Sequence, residues 1–176
     1  AQLVPENTEI RFNLALLTRD SGRFEEALSL VKELLLETEQ ENYTEEEHNN
    51  RRVLMTHIAI LNSMMERFDE AVETFEQMKD VEPNPDGTVD SYIIDTYRAA
   101  DEIDQALEQS AVALQDYPKN RQLLIQNAEL TALQGNPDGA IDALHNIKSG
   151  EDEDLQIYAS MINIYPREKD FRSAQA

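Results

Sequence analysis

A chain of 176 residues has room for one domain or a short array of repeats, and 40% hydrophobic residues are enough for a core, which argues against disorder despite the charge. The 36 acids against 15 bases, a formal net charge of −21, argue against nucleic acid and anionic membrane surfaces as partners, because both are held chiefly by Lys and Arg. No cysteine is present, which excludes disulfides, thiolate metal sites and thiol nucleophiles and leaves the compartment open, cytoplasmic or periplasmic alike. No apolar run approaches the roughly 20 residues of a membrane span. Five glycines and six prolines, against abundant Glu, Leu, Ala and Gln, favour helices over strands.

Taken in order, the chain reads as five units at about 8–41, 52–85, 87–120, 121–154 and a truncated 155–176, with an insertion at about 42–51. Together they are expected to form a single superhelical domain. Within each unit apolar residues recur at three- and four-residue steps in two blocks of about a dozen, split by a polar break. Unit two shows it as "VLMTHIAILNSM", "ER" and "FDEAVETFEQMKDV". Each block predicts an amphipathic helix too short to bury its stripe alone, so units must stack.

The insertion lies around "ETEQENYTEEEHNNRR". Thr44 with Glu47 three residues on is a capping box, which starts the first helix of unit two near Thr44 and carries it to about Met65. A solvated acidic loop is the alternative. Further along, Asn136-Pro137 reads as an N-cap followed by proline at the first helical position. Pro166 is expected to end the last first-helix early. Pro5 falls where a proline closing a preceding unit would be, and Ala176 leaves the fifth unit's second helix barely begun, so the chain is expected to be a piece of a longer array.

Three columns hold the register. Ala27, Ala71, Ala106, Ala140 and Ala174 recur; Ile10, Leu54, Val89, Leu123 and Ile157 precede them by a constant interval; Leu28, Val72, Leu107 and Ile141 follow directly, failing only at Gln175. The recurring alanine is a packing residue whose methyl lets two helices approach closely.

These columns, with a small residue on the first helix (Ala15, Ala59, Ala128), an aromatic opening the second (Phe24, Phe68, Phe171) and a following proline (Pro83, Pro118), resemble the tetratricopeptide repeat over nearly the whole chain. Units depart from the pattern at Ile94 and Ile162 in the small position, and at Ile103 and Pro137 in the aromatic one. The resemblance implies an all-α, right-handed solenoid of stacked antiparallel helix pairs and a protein-binding function without catalysis.

"EPNPDGTVD" at 82–90 has oxygens on alternate positions and Gly87 at its turn, as a calcium loop would. A bidentate Glu is then needed six residues after the glycine, and Ile93 stands there instead. The segment reads as a joint between repeats. "GEDED" at 150–154 reads as a helix start with its acids against the positive end of the dipole. His48, His57 and His145 have no zinc spacing, and nothing resembles a nucleophile elbow or a phosphate loop. No catalytic residue, metal or cofactor is expected.

The family uses the exposed face of its first helices to grip a peptide or partner helix. Carried over by position, the resemblance implies Phe12, Leu16 and Arg19 in unit one and Val53, Thr56, Ile60 and Met64 in unit two. It further implies Ser91, Asp95, Arg98, Ile125, Glu129 and Leu133 in units three and four, and Asn163 in unit five. Phe12, Leu16, Val53, Ile60 and Met64 would form an apolar patch, unless they pack on a preceding unit or on the insertion helix. Asp95 and Glu129 would make the groove acidic further along.

The carboxylate clamp that some of these repeats use for chaperone tails demands Lys and Arg. The matching positions are Phe12, Leu16, His57, Thr88 and Tyr92, or Thr56, Ile60, Tyr92, Gln122 and Gln126, and none is Lys or Arg. The expected partner is a protein or peptide, basic or amphipathic. A structural or self-associating role, or a regulatory arm of a larger protein, is the alternative. RNA reading by a related helical repeat needs a basic groove, which Asp95 and Glu129 oppose.

Overall fold

In a computed structural model the backbone is described over residues 5–40, 42–150 and 154–173, and side chains from residue 8 to 164 within those ranges except at residue 80. Among these residues there are nine helices and no strand. They are α1 (Pro5–Asp20), α2 (Phe24–Glu37), α3 (Glu45–Met64), α4 (Phe68–Asp80), α5 (Thr88–Ala99), α6 (Ile103–Asp116), α7 (Arg121–Leu133), α8 (Pro137–Asn146) and α9 (Leu155–Ser173). None is long and apolar enough to cross a membrane.

The chain divides into two compact units, Ala1–Pro85 and Asp86–Ala176. In the first, α1 packs on α2, α2 on α3 and α3 on α4. In the second, α5 to α9 pack in succession, and the first helices α5, α7 and α9 also touch side by side. The alanine column explains the close pairing: Ala27, Ala71, Ala106 and Ala140 are each fully buried, as are Ala15, Ala59 and Ala128 on the facing first helices. Around them the N-terminal core gathers Leu28, Val31, Leu34, Leu54, Ile58 and Leu61. The C-terminal unit builds one cluster on Ile94, Leu123 and Leu130, and another on Ile125, Leu144, Ile157 and Met161. Burying each such Leu or Ile contributes about 1.5–3 kcal/mol.

The turns within the pairs follow one design that sequence columns did not reveal. Gly22, Glu66, Asp101 and Gly135 occupy the same register position, and all four have positive φ, at 76°, 59°, 62° and 93°. In each turn the next residue's N–H reaches back to the carbonyl five residues earlier: Arg23 to Thr18 (3.1 Å), Arg67 to Asn62 (2.9 Å), Glu102 to Tyr97 (2.9 Å) and Asn136 to Thr131 (3.2 Å). That is a Schellman closure, which satisfies the helix's last carbonyls through one left-handed residue.

The same position in the fifth unit is Lys169, and there α9 continues to Ser173. This corrects two expectations. Pro166 does not end the helix: α9 carries it as a local interruption, despite the lost donor and the ring's crowding of the preceding turn. Nor does Phe171 open a second helix: the backbone stays helical through Lys169, where the other four pairs turn. Ala174 lies outside the described residues.

Elsewhere local chemistry agrees with the helices. Thr44 caps α3 in a complete capping box, accepting from the Glu47 N–H while the Glu47 carboxylate accepts from the Thr44 N–H at 2.7 Å. Asn136 caps α8, with Pro137 at its first position. In the 82–90 segment Asp86 accepts from the Thr88 N–H at 2.9 Å, Gly87 starts α5 at φ 86°, and Ile93 is buried in the core. The Asp86 oxygen serves the turn, and the Glu82 carboxylate faces Arg52 instead. In "GEDED" only Asp154 falls among the described side chains; it accepts from the N–H groups of Ser149 (3.0 Å) and Gly150 (2.7 Å) and from Arg121. These donors hold its carboxyl well below the usual carboxylate range, the Ser149 N–H most of all.

Candidate functional site

In the N-terminal unit α1 and α3 carry the expected face. Steps of three and four residues line Val53, Thr56, Ile60 and Met64 along α3. Val53, Ile60 and Met64 are exposed, while Phe12 and Leu16 on α1 are half-buried. Thr56 is less available: its hydroxyl donates to the Arg52 carbonyl at 2.8 Å. Arg19 is drawn to its neighbour Asp20 at 2.8 Å.

Between these residues sits His57, its ring edge-on to Phe12 at 5.0 Å. Burial lowers its pKa first, and the nearby positive charge of Arg19 adds to the effect. Its buried Nδ1 has no hydrogen-bond partner. A neutral imidazole is therefore favoured, which keeps this face apolar.

The C-terminal unit is different in character. A concavity of about 930 Å³ is lined by Arg98, Glu129, Leu133, Ser160 and Asn163, with Ile103 and Asp101 at its edge. Arg98 lies 2.9 Å from Asp95 and 2.9 Å from Glu129, and the Ser160 hydroxyl donates to Glu129 at 2.6 Å. The acidity expected at Asp95 and Glu129 is thus partly neutralised from within. Leu133 and Asn163 are exposed beside this network.

Two expected groove residues are buried and unavailable to a partner. Ile125 packs in a core cluster with Ala128, Ala140 and Ile157, because the neighbouring pair covers that side of α7. Ser91 is buried in the first turn of α5, where its carbonyl accepts from the Gln126 amide at 3.1 Å.

His57 and Ser160 were not among the expected site residues. They share one register column, each directly following an expected column residue or its counterpart, so reading one position further along the first helix would have found both.

A second recess in the N-terminal unit, about 440 Å³, is lined by Tyr43, His48, Arg51, Arg52, Val81 and Glu82 among others. Its charges are already engaged. Arg51 donates to the Leu35 carbonyl and the Thr38 hydroxyl, both at 2.9 Å, and lies over the Tyr43 ring at 4.9 Å. Arg52 reaches Glu82 at 3.9 Å. Arg51 acts as a strut for the inserted connection between α2 and α3. Among the described residues no group of three or more His, Asp or Glu side chains is arranged to hold a metal ion.

No protein-family model and no curated protein matches the sequence. Solved structures do. A Podosopora anserina protein with nearly identical TPR-like repeats aligns at TM-score 0.64 and 17% identity, covering 99% of this chain and 92% of the other. A thermophilic TPR protein of Thermus thermophilus aligns at TM-score 0.58 and 19% identity, covering 92% and 82%. The MamA protein aligns at TM-score 0.56 and 16% identity, covering 94% and 85%. At such identities the likeness concerns architecture alone. Together with the buried alanine columns and the repeated turn, it makes this chain a tetratricopeptide-like array of stacked helix pairs.

Proposed function

We propose that the chain is a non-catalytic scaffold that binds an amphipathic or basic segment of a partner protein through the first-helix faces. The observation that carries this reading is the row Val53, Ile60 and Met64, exposed on α3 beside the half-buried Phe12 and Leu16. Apolar side chains left in water on one helix face serve contact with another molecule. In the C-terminal unit, the Asp95–Arg98–Glu129 network next to exposed Leu133 offers polar partners for a basic side chain. The composition points the same way, since a net charge of −21 attracts cationic segments at long range.

The test is a pull-down with the purified chain, followed by titration of any partner recovered. Leu16→Glu and Ile60→Glu should each weaken binding by roughly tenfold or more, the effect of placing a charge in an apolar contact. Intact binding in both variants would place the site elsewhere.

A further inference from the structure

The recess of about 440 Å³ in the N-terminal unit holds both signs of charge around an apolar lining. Arg51 and Arg52 come from α3, and Glu82 follows the end of α4. The buried Met55 and Met78, with the exposed Val81, supply the apolar part. We infer that this recess binds a free amino acid with an apolar side chain. Arg51 takes its carboxylate, Glu82 its ammonium, and Met55, Met78 and Val81 its side chain.

The charges here are engaged but not saturated. Both described hydrogen bonds of Arg51 use Nη1, and both go to neutral oxygens, the Leu35 carbonyl and the Thr38 hydroxyl. Its contact with the Tyr43 ring is with a neutral group as well. Nη2 and Nε are left for a carboxylate, which a guanidinium binds through parallel N–H donors. Glu82 has the complementary lack. Its side chain is only 13% exposed, and the one partner described for its carboxylate is Arg52 at 3.9 Å, the outer limit of an ion pair. A carboxylate so far withdrawn from water gains from a strong donor at closer range. Arg52 is itself 46% exposed and also donates to Asn49 at 3.3 Å, so an ammonium can take its place without disturbing the core.

Charge decides among the ligand classes. A lone cation would face Arg51 and Arg52, and a lone anion would face Glu82 and a net charge of −21. A free amino acid carries both signs close together and no net charge, so neither objection applies. Two methionines in the lining adapt readily to an apolar side chain's shape. The site belongs to one place in the chain. In the third unit the positions of Arg51, Arg52 and Glu82 hold Asp86, Gly87 and Tyr117, and Tyr43 comes from the inserted connection. None of the expected groove residues lines the recess, so this inference stands apart from the scaffold reading.

The test labels the methionine methyl groups of the full chain with carbon-13 and titrates it with L-leucine, L-methionine and L-phenylalanine, followed by NMR. At least one should shift the Met55 and Met78 methyls saturably and leave the Met161 methyl, in the C-terminal unit, unmoved. N-acetylation removes the ammonium and amidation removes the carboxylate. Each should weaken binding of that amino acid by about tenfold or more. Glu82→Gln should weaken the free amino acid to the level of its N-acetyl form, whose own binding it leaves unchanged; loss of the recess would weaken both. Val81→Ser, at an exposed position, should weaken all forms by about threefold and keep the parent's melting temperature. Three results would overturn the inference: no saturable shift with any of the three, an acetylated or amidated form that binds as tightly as its parent, or a Glu82→Gln chain that still prefers the free amino acid. Loss of binding with Ile60→Glu would assign the amino acid to the α3 face and overturn it as well.

Discussion

Single residues carry the strain and the titration in this fold. Glu66 holds a left-handed conformation that in two other pairs is given to glycine. Glu66→Gly should therefore stabilise the chain, by about 0.5–1 kcal/mol once the extra freedom of an unfolded glycine is subtracted, measured by urea denaturation. Gly87 is the opposite case. Its φ is 86°, and an added Cβ would meet Leu123 at 2.9 Å and Tyr117 at 3.0 Å, so Gly87→Ala should cost about 2 kcal/mol or more. Gly22, which has open space around it, should lose only the conformational part. His57 titrates below its ordinary value of 6.5 in the folded chain, so it contributes stability that is fully present above pH 6.5 and lost as pH falls through its folded pKa. His57→Phe should flatten that part of the melting-temperature profile between pH 7 and 5. An unchanged slope would show that His57 is not shielded as described.

At the scale of elements, the helices were legible because their signals are local and repeated. The alanine column, the Thr44–Glu47 box and Asn136-Pro137 each act through contacts a few residues long. Thr44→Ala should cost about 1 kcal/mol, the worth of a side-chain cap, and should lower the helicity of α3. Ala71→Leu should cost about 1–3 kcal/mol, because the methyl at that fully buried position leaves no room between α3 and α4. What the sequence hid depends on packing across helices. Ser91 and Ile125 sit in register with the half-buried Phe12 and Thr56, yet neighbouring helices cover them fully. The continuation of α9 runs through Lys169, a position that the apolar columns do not sample. His57 and Ser160 escaped because the expected face stopped one position short of their shared column on the first helix.

For the whole molecule, charge and exposed apolar faces decide behaviour. With a net charge of −21, self-repulsion opposes compaction, so screening by about 0.5 M salt should raise the melting temperature by roughly 2–4 °C, the shift that about 1 kcal/mol produces at this size. The same charge should make capture of a cationic segment fall with salt, while apolar contacts at Val53, Ile60 and Met64 are retained. The most direct measurement is selection of a displayed random-peptide library on the immobilised chain, with the Ile60→Glu chain as counter-target. The scaffold reading predicts peptides with apolar residues at helical or extended spacing and an excess of Lys and Arg, lost on the Ile60→Glu chain. Peptides that bind both chains equally, or that carry an excess of acids, would contradict it.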